Sequence, residues 1–213
     1  MTEQNGKSPP RWQTELAAVL GRLVTAADGA ITCDLGGLAA CRRGLRKRPM
    51  DEPAMWKYIA PVCLAVPPEW GARAVQRVEA ATHYALALHA FHQQSRQRPM
   101  HQRGEEHRAN TLGLAGARLR NVLVKKDIAT DGVDRRFYAA ATADSVEEVV
   151  GHLRAFVPQL REHDVPLDYV RLAADLAAWP NPELRTKIRR RWGLDYHWSP
   201  STDAAPTADK ENS

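Results

Sequence analysis

Residues 75–92 read VQRVEAATHYALALHAFH, and this stretch decides the fold. Its apolar and small residues recur at steps of three and four, which is the spacing of one face of a helix: Val75, Val78, Thr82, Ala85, Leu88 and His92. The alanines between them let neighbouring helices approach closely. The stretch therefore predicts the longest helix of a helical protein, opened by Pro67-Pro68-Glu69.

Helical spacing continues on the N-terminal side of this stretch. A first helix is predicted to begin after Ser8-Pro9-Pro10 and to end near Asp28-Gly29. A second runs from Asp34, a suitable N-cap, to Arg48, because Pro49 stops it. A third opens at Asp51-Glu52-Pro53, and Pro61 should kink or end it.

On the C-terminal side, residues 97–110 are polar and offer almost nothing to bury, so they are predicted to separate two helical halves. The second half then has five helix signals. They are a cap at Asn110 or Thr111, a start at Asp131, a capping box from Ser145 to Glu148, a start at Pro166, and a helix over 183–192.

No segment shows sustained alternation of apolar and polar residues, the pattern of a half-buried strand. The fold class is therefore predicted to be all-α, with about nine helices in two packed helical bundles and no sheet. The predicted organisation is a flexible N-terminus over 1–10, an N-terminal bundle over 11–96, a polar loop over 97–110, a C-terminal bundle over 111–198, and a disordered tail over 199–213.

Composition favours a globular protein and argues against a membrane-spanning or secreted one. The chain has 213 residues, 44% of them hydrophobic, which is enough for a packed core. A net charge of +5 favours an acidic partner. No apolar run is long enough for a membrane span, and the N-terminus lacks the apolar core of a secretory signal. Cys33, Cys41 and Cys63 form no C-x-x-C pair, which is typical of reduced cysteines in a cytosolic protein.

Positive charge is concentrated in three clusters. The first is named the α2 cluster after the second predicted helix (α2, residues 34–48); it contains no acid and consists of Arg42, Arg43, Arg46, Lys47 and Arg48. The second is named the α5 cluster after the fifth predicted helix (α5, which begins at Asn110 or Thr111); it also contains no acid and consists of Arg118, Arg120, Lys125 and Lys126. The C-terminal cluster is Arg185, Lys187, Arg189, Arg190 and Arg191. A solvated surface usually mixes signs, whereas a single-sign surface suits a row of phosphates. An arginine-rich, soluble helix end is the alternative interpretation of the α2 cluster.

Other chemistry finds little support in the sequence. His89 and His92 lie three residues apart on the longest helix, but no carboxylate accompanies them as in zinc-binding helices, so core or surface histidines are the preferred interpretation of both and of His83. His101 and His107 lie in the polar stretch without supporting ligands.

Gly113 and Gly116 indicate close helix packing, not a phosphate loop, because no strand precedes them. Elements that read bases are also absent from the sequence pattern, which favours binding of the nucleic-acid backbone without sequence preference.

The order of short motifs resembles the CasB family, the small subunit of the type I-E CRISPR surveillance complex Cascade. The resemblance covers about Trp12 to Trp198 and rests on these segments in order: W-x-x-x-L from Trp12, LAACRRGLRKR at 38–48, PAMWKYIAP at 53–61, ALHAFHQQ at 87–94, TLGLAGARLR at 111–120, DRRFYAAATA at 134–143, LDYVRLAADLAAW at 167–179, and RRRWGLDY at 189–196.

The resemblance implies an all-helical, non-catalytic subunit without a cofactor. Family members are expected to form a dimer in the complex, beside the CasC backbone that carries the crRNA, and to touch CasA and CasE. They are expected to stabilise the R-loop, partly by holding the displaced non-target strand of single-stranded DNA, with crRNA as a further partner.

Carried over by position, the basic patch of the family corresponds to Arg42, Arg43, Arg46, Arg118, Arg120, Arg135 and Arg136, with Arg154 and Arg161 as further candidates. Lys47, Arg48, Lys125 and Lys126 join this set through the charge clusters, although Lys125, Lys126 and residues 189–191 match the family less closely. Two alternatives stay open: a protein–protein adaptor whose basic faces meet acidic partners, and a hydrolase that uses His83, His89 or His92.

Overall fold

The computed structural model describes residues 9–27, 30–103 and 110–197. Within these ranges the chain forms nine α-helices and one β-hairpin. In chain order they are α1 (Arg11–Leu23), β1 (Val24–Ala27), β2 (Ala30–Cys33), α2 (Leu35–Gly44), α3 (Trp56–Leu64), α4 (Ala72–His92), α5 (Leu112–Lys125), α6 (Asp131–Thr142), α7 (Val146–Glu162), α8 (Tyr169–Ala178) and α9 (Pro182–Tyr196), with 3-10 helices at Pro53–Met55 and Pro68–Trp70. The predicted helical fold class is confirmed.

Several helices begin where side-chain caps were predicted. Asp34 Oδ1 accepts a hydrogen bond from the Gly37 backbone N–H at 2.8 Å, and the Thr111 hydroxyl accepts from Leu114 N–H at 3.1 Å. Ser145 Oγ accepts from Glu148 N–H at 3.1 Å, while the Glu148 carboxylate reaches back to Asp144 N–H at 2.8 Å. Each cap satisfies donors that the first turn of a helix leaves unpaired.

The expectation of no sheet was wrong. Strands β1 and β2 pair antiparallel, with Val24 opposite Cys33 and Ala27 opposite Ala30. Helix α1 therefore ends at Leu23, earlier than predicted, and the Asp28-Gly29 pair at its predicted end lies outside the described residues. The Asp34 N–H donates to the Leu23 carbonyl at 3.0 Å, which brings the end of the hairpin back to the end of α1.

Three helix boundaries also differ from the prediction. Helix α2 ends at Gly44, so Arg46, Lys47 and Arg48 lie in the turns that follow it. Helix α3 continues through Pro61, whose missing N–H removes the one bond that would go to the carbonyl four residues earlier. Helix α9 runs on to Tyr196 because Trp192 and Tyr196 are both buried and extend its apolar face.

Helix α4 lies at the centre of the protein. Residues 81–90 are all buried. The helix packs against α2 and α3, which precede it in the sequence, and against α7 and α8, which follow it. One hydrophobic core includes residues from both sides of the polar stretch. The division into two bundles stays a prediction. In the described part of the chain, no helix has both the length and the apolar content that a bilayer crossing needs.

The beginning of the polar stretch is packed against the protein. Met100 is fully buried, and its N–H donates to Gln93 Oε1 at 2.8 Å. The Leu167 N–H donates to the Met100 carbonyl at 3.1 Å, and Gln102 N–H donates to the Leu167 carbonyl at 3.3 Å. A single apolar residue and backbone pairing therefore fix residues 97–103 beside the start of α8, while residues 104–109, with His107, lie outside the described part.

Helix α4 also carries three buried histidines, so of the two predicted locations, core or surface, these residues occupy the core. His92 Nδ1 and the Tyr169 hydroxyl are hydrogen-bonded at 2.9 Å, and the same hydroxyl lies 3.3 Å from the Leu88 carbonyl oxygen. The His89 ring packs edge-on against Tyr169, with ring centroids 5.2 Å apart. Burial lowers the pKa of His92 to about 3 and the pKa of His89 well below its ordinary value, so both are neutral in the folded protein.

Acid should therefore destabilise the protein. Below the ordinary histidine pKa of about 6.5, His89 and His92 bind protons in the unfolded chain but stay neutral in the folded protein. The free energy of unfolding therefore falls as the pH drops from about 6.5 towards 4. In this range each of the two histidines adds about 1.4 kcal/mol per pH unit to the slope of the free energy of unfolding against pH. His92→Phe should reduce the slope measured by urea unfolding by that amount, whereas replacing the partly exposed His152 with Gln is the control. An unchanged slope in His92→Phe would contradict the neutral core histidine.

Candidate nucleic-acid interface

The α2 cluster is held at the end of a helix that packs closely on α4. The Gly44 carbonyl, in the last turn of α2, accepts a hydrogen bond from His83 Nε2 at 3.0 Å. A Cβ at Gly44 would lie 2.2 Å from the Met55 sulfur, so any larger residue would force the buried Met55 side chain to move. The cations that follow Gly44 therefore start from a fixed backbone position.

Two of the five cations in this cluster bind one carboxylate. Glu52 is buried, and it accepts from Lys47 Nζ at 2.7 Å and lies 3.5 Å from Arg43 Nε. The hydrogen bond from Lys47, with the nearby charge of Arg43, holds the pKa of the Glu52 carboxyl below its ordinary value. Arg43 and Lys47 are thus partly neutralised, although their side chains stay 57% and 44% exposed.

The other three cations of the cluster differ from Arg43 and Lys47. Within residues 9–27, 30–103 and 110–197, Arg42, Arg46 and Arg48 form no salt bridge. Arg46 and Arg48 are exposed, and Arg42 is half-buried along α2. This end of α2 therefore presents uncompensated guanidinium groups to an incoming anion.

Arg154 of α7 is half-buried. Burial lowers the pKa of His83 on α4, and the positive charge of Arg154 adds to that lowering. A nucleic-acid role for Arg154 stays a prediction.

The α5 cluster is divided between exposed and paired cations. Lys125 and Arg118 are exposed, with Arg118 donating to the Asn110 side-chain carbonyl. Lys126 Nζ lies 3.5 Å from His163 Nδ1. Arg120 Nε lies 3.4 Å from Asp134 Oδ1, and the same carboxylate accepts from the Tyr196 hydroxyl. Arg120 therefore also helps to join α5 to α6.

The three remaining arginines of the predicted patch differ in exposure and in hydrogen bonding; they are Arg135, Arg136 and Arg161. Arg135 is exposed on α6, whereas Arg136 donates to the Gly132 carbonyl of its own helix at 2.8 Å. Arg161 donates to the Phe91 carbonyl at 3.2 Å, and its guanidinium lies 5.0 Å from the Phe91 ring centroid. Arg161 therefore ties α7 to the end of α4, and a nucleic-acid role for it stays a prediction.

Two of the five cations in the C-terminal cluster, Arg189 and Arg191, bind acceptors within the fold. Arg189 Nη2 donates to the carbonyls of Thr142 and Ala143 at 2.8 and 2.7 Å, at the end of α6. Arg191 Nη2 donates to the buried Asp175 at 2.6 Å. Cations at a helix C-terminus complement the helix dipole, so this use of Arg189 is favourable. Lys187 and Arg190 are the exposed members of this cluster.

Two further cations escaped the sequence reasoning. Arg73 and Arg77 of α4 line an open cavity of about 610 Å³ together with Arg185 and the apolar side chains of Leu176 and Trp179. Their four-residue spacing on one helix face was the signal that could have found them. In the described residues, no group of three or more His, Cys, Asp or Glu side chains is arranged to hold a metal ion.

Comparisons with known proteins are consistent with this picture. The family model described as CRISPR-associated protein Cse2 matches residues 37–197. CasB from Thermobifida fusca is 27% identical, with a TM-score of 0.65 over 88% of this chain and 96% of that chain. CasB from Thermus thermophilus is 25% identical, with a TM-score of 0.60 over 89% and 98%.

A chain in the structure of a CRISPR RNA-guided surveillance complex shares the fold, at 24% identity and a TM-score of 0.60 over 87% of this chain and 93% of that one. A comparison with curated proteins found no match. The family model spans well over half of the sequence, and the CasB structures are covered almost completely. The chain belongs to the CRISPR-associated protein Cse2 family.

Proposed function

We propose that this chain is a non-catalytic small subunit of a crRNA-guided antiviral surveillance complex, and that it binds nucleic-acid backbone without sequence preference. Membership of the Cse2 family supports the first part, since similar chains occur in structures of CRISPR RNA-guided surveillance complexes. The observation that carries the second part is the group of guanidiniums at Arg42, Arg46 and Arg48, which have no internal ion pair in the described residues.

The proposed ligand is the displaced non-target strand of the R-loop. Exchange of a DNA duplex for an RNA–DNA heteroduplex is nearly balanced in free energy, so a few phosphate contacts on the displaced strand can shift it towards the open state. Guanidinium groups suit this task because they donate two parallel hydrogen bonds to phosphate and stay charged. Exposed Arg118, Lys125 and Arg135 are proposed to extend the phosphate contacts beyond the α2 cluster.

The proposed partners follow from the same family resemblance. They are the CasA, CasC and CasE subunits, a second copy of this chain in the complex, and crRNA as a further nucleic acid. Such an assembly joins many modest surfaces, so each pairwise contact can be weak in isolation. Guide pairing reads the sequence in such complexes, and this subunit needs only to hold the backbone.

Replacing Arg42 and Arg46 together with alanine should weaken the binding of single-stranded DNA and flatten its salt dependence. Each phosphate contact to a single strand contributes about −0.7 to the slope of log affinity against log salt, so the double variant should lose about 1.4. Fluorescence anisotropy with a labelled oligonucleotide at several salt concentrations measures both quantities. Oligonucleotides of different sequence should be weakened about equally.

The matched control removes two exposed arginines of α1, Arg11 and Arg22, which lie outside the three clusters. It changes net charge equally, so a similar loss in both double variants would point to a general charge effect and contradict the proposed site. In the assembled complex, Arg42→Ala/Arg46→Ala should shorten the lifetime of the R-loop while crRNA loading stays normal. A normal R-loop with defective subunit assembly would instead favour the protein–protein adaptor.

A further inference from the structure

Trp56 is unlike the buried tryptophans of this protein. Trp12, Trp179 and Trp192 are at most 3% exposed and belong to the core, whereas the Trp56 side chain at the start of α3 is 48% exposed. Its ring is not loose, because Nε1 donates a hydrogen bond to the Met50 carbonyl at 2.9 Å. The indole is thus a fixed aromatic surface with about half of its area open to solvent.

That hydrogen bond joins the ring to the cationic turn after α2. Arg48 and Met50 belong to the same tight turn, in which Asp51 N–H donates to the Arg48 carbonyl at 3.1 Å and Met50 has a positive φ of 69°. Glu52, which binds Arg43 and Lys47, lies between this turn and the 3-10 helix that leads into Trp56. One short connection, between the end of α2 and the start of α3, therefore carries Arg46 and Arg48 and also holds the aromatic ring.

A fixed aromatic ring beside phosphate-binding cations is the arrangement that binds single-stranded nucleic acid. Cations follow the backbone, and an aromatic face stacks on an unpaired base of any sequence, since every base has a π face. Two torsion angles are all that a tryptophan side chain has to order, and here the Met50 bond has already restricted them. A base inside a duplex is already stacked on both faces and offers no free face to the indole.

We propose that Trp56 stacks on an unpaired base of the strand whose phosphates contact Arg42, Arg46 and Arg48. This inference rests on the proposed function, and it adds a preference that phosphate contacts alone cannot supply. The basic cluster attracts any nucleic acid, whereas the indole selects single-stranded over double-stranded DNA. The ring contributes no base identity, so the binding stays indifferent to sequence.

The test compares short oligothymidine with a strand of the same length that carries abasic residues throughout, using the full-length protein. Wild type should bind oligothymidine about tenfold more tightly than the abasic strand, the effect of one stacked base. Trp56→Ala should bind the two strands equally, at the affinity of the abasic strand, and keep the wild-type salt slope. Trp70→Ala is the control, because Trp70 is 47% exposed but lies outside this turn.

Trp56→Phe keeps a ring and guards against a folding defect in the alanine variant. Oligothymidine should quench the tryptophan fluorescence of wild type but not of Trp56→Phe, which should retain part of the preference for bases. Equal affinity of wild type for both strands would overturn the stacking proposal and leave the phosphate contacts standing. An unchanged preference in Trp56→Ala would overturn it as well, whereas failure of wild type to bind either strand would overturn the proposed function together with it.

Discussion

Replacing Asp175 with alanine is expected to lower the free energy of unfolding by about 3 kcal/mol. The Asp175 carboxylate is buried in α8, where it accepts from Arg191 Nη2 at 2.6 Å and from Trp192 Nε1 at 2.8 Å. Arg171, one turn before it on α8, lies 3.5 Å away. Without the carboxylate, the fully buried indole N–H and two guanidiniums lose their acceptor.

The expected loss lies at the lower end of the range for breaking a buried ion pair. Arg191 and Arg171 are 30% and 39% exposed, so water can solvate part of the charge that Asp175 leaves behind. Burial raises the pKa of the Asp175 carboxyl, and the two arginines oppose that rise. Asp175→Asn should fall between wild type and alanine, because an amide oxygen can still accept from Trp192.

Urea unfolding followed by circular dichroism measures this prediction. Glu162→Ala removes one negative charge from the exposed surface of α7 and should change the free energy of unfolding by no more than about 0.5 kcal/mol. The same small change in Asp175→Ala would show that the pair does not join α8 to α9. Binding of single-stranded DNA by folded Asp175→Ala should be normal, since the Asp175 carboxylate contacts side chains of α8 and α9 and the proposed phosphate contacts lie at the end of α2.

Asp175 also explains why charge counting alone could not define the interface. The C-terminal cluster has the same net charge as the α5 cluster in sequence, yet Arg189 and Arg191 act within the fold. Their acceptors, the end of α6 and Asp175, lie at least sixteen residues away in the chain. No local pattern can report such a pairing. In the same way, the finding that Arg46 and Arg48 form no salt bridge with any described residue required the positions of the neighbouring elements.

Helix positions were predictable because their signals are local. Asp34, Thr111 and Ser145 each cap the helix that follows, and the caps act over three residues of chain. The hairpin was missed because its strands have only four residues each, too few for alternation to stand out. The Asp28-Gly29 pair between two runs with β-branched residues was the available signal. The burial of Met100 was not predicted, because a single apolar residue in a polar stretch forms no periodic apolar pattern.

The exposure of Trp56 was equally hidden from the sequence. Tryptophan next to Met55 and near Ile59 reads as part of an apolar helix face, and those two neighbours are indeed fully buried. The ring lies instead where the 3-10 helix passes into α3, and its Nε1 donates a hydrogen bond to the Met50 carbonyl. The proposed contacts of Arg46, Arg48 and Trp56 thus depend on the turn between α2 and α3, and propensity rules describe such turns poorly.

Replacing Gly113 with alanine is the second change with a large expected effect, a loss of about 3 kcal/mol in the free energy of unfolding. Helix α5 crosses α9 at this residue, and a Cβ there would lie 2.1 Å from the Trp192 carbonyl oxygen and 2.9 Å from the Asp195 Cβ. The obstacle is backbone, so no rotamer change can relieve the overlap and the two helices must separate. The predicted role of Gly113 in close helix packing is confirmed.

Gly151→Ala is the matched control, since Gly151 lies inside α7 and its added Cβ would meet nothing within 4 Å. Alanine loses less backbone entropy on folding than glycine, so this variant should gain about 0.5–1 kcal/mol. Opposite signs for the same substitution in two helices would separate the steric effect at Gly113 from the difference in backbone entropy. Equal stabilisation of both variants would mean that α5 and α9 are farther apart than the structure places them. The separation matters for function because α5 carries Arg118, Arg120 and Lys125, whose positions depend on this packing.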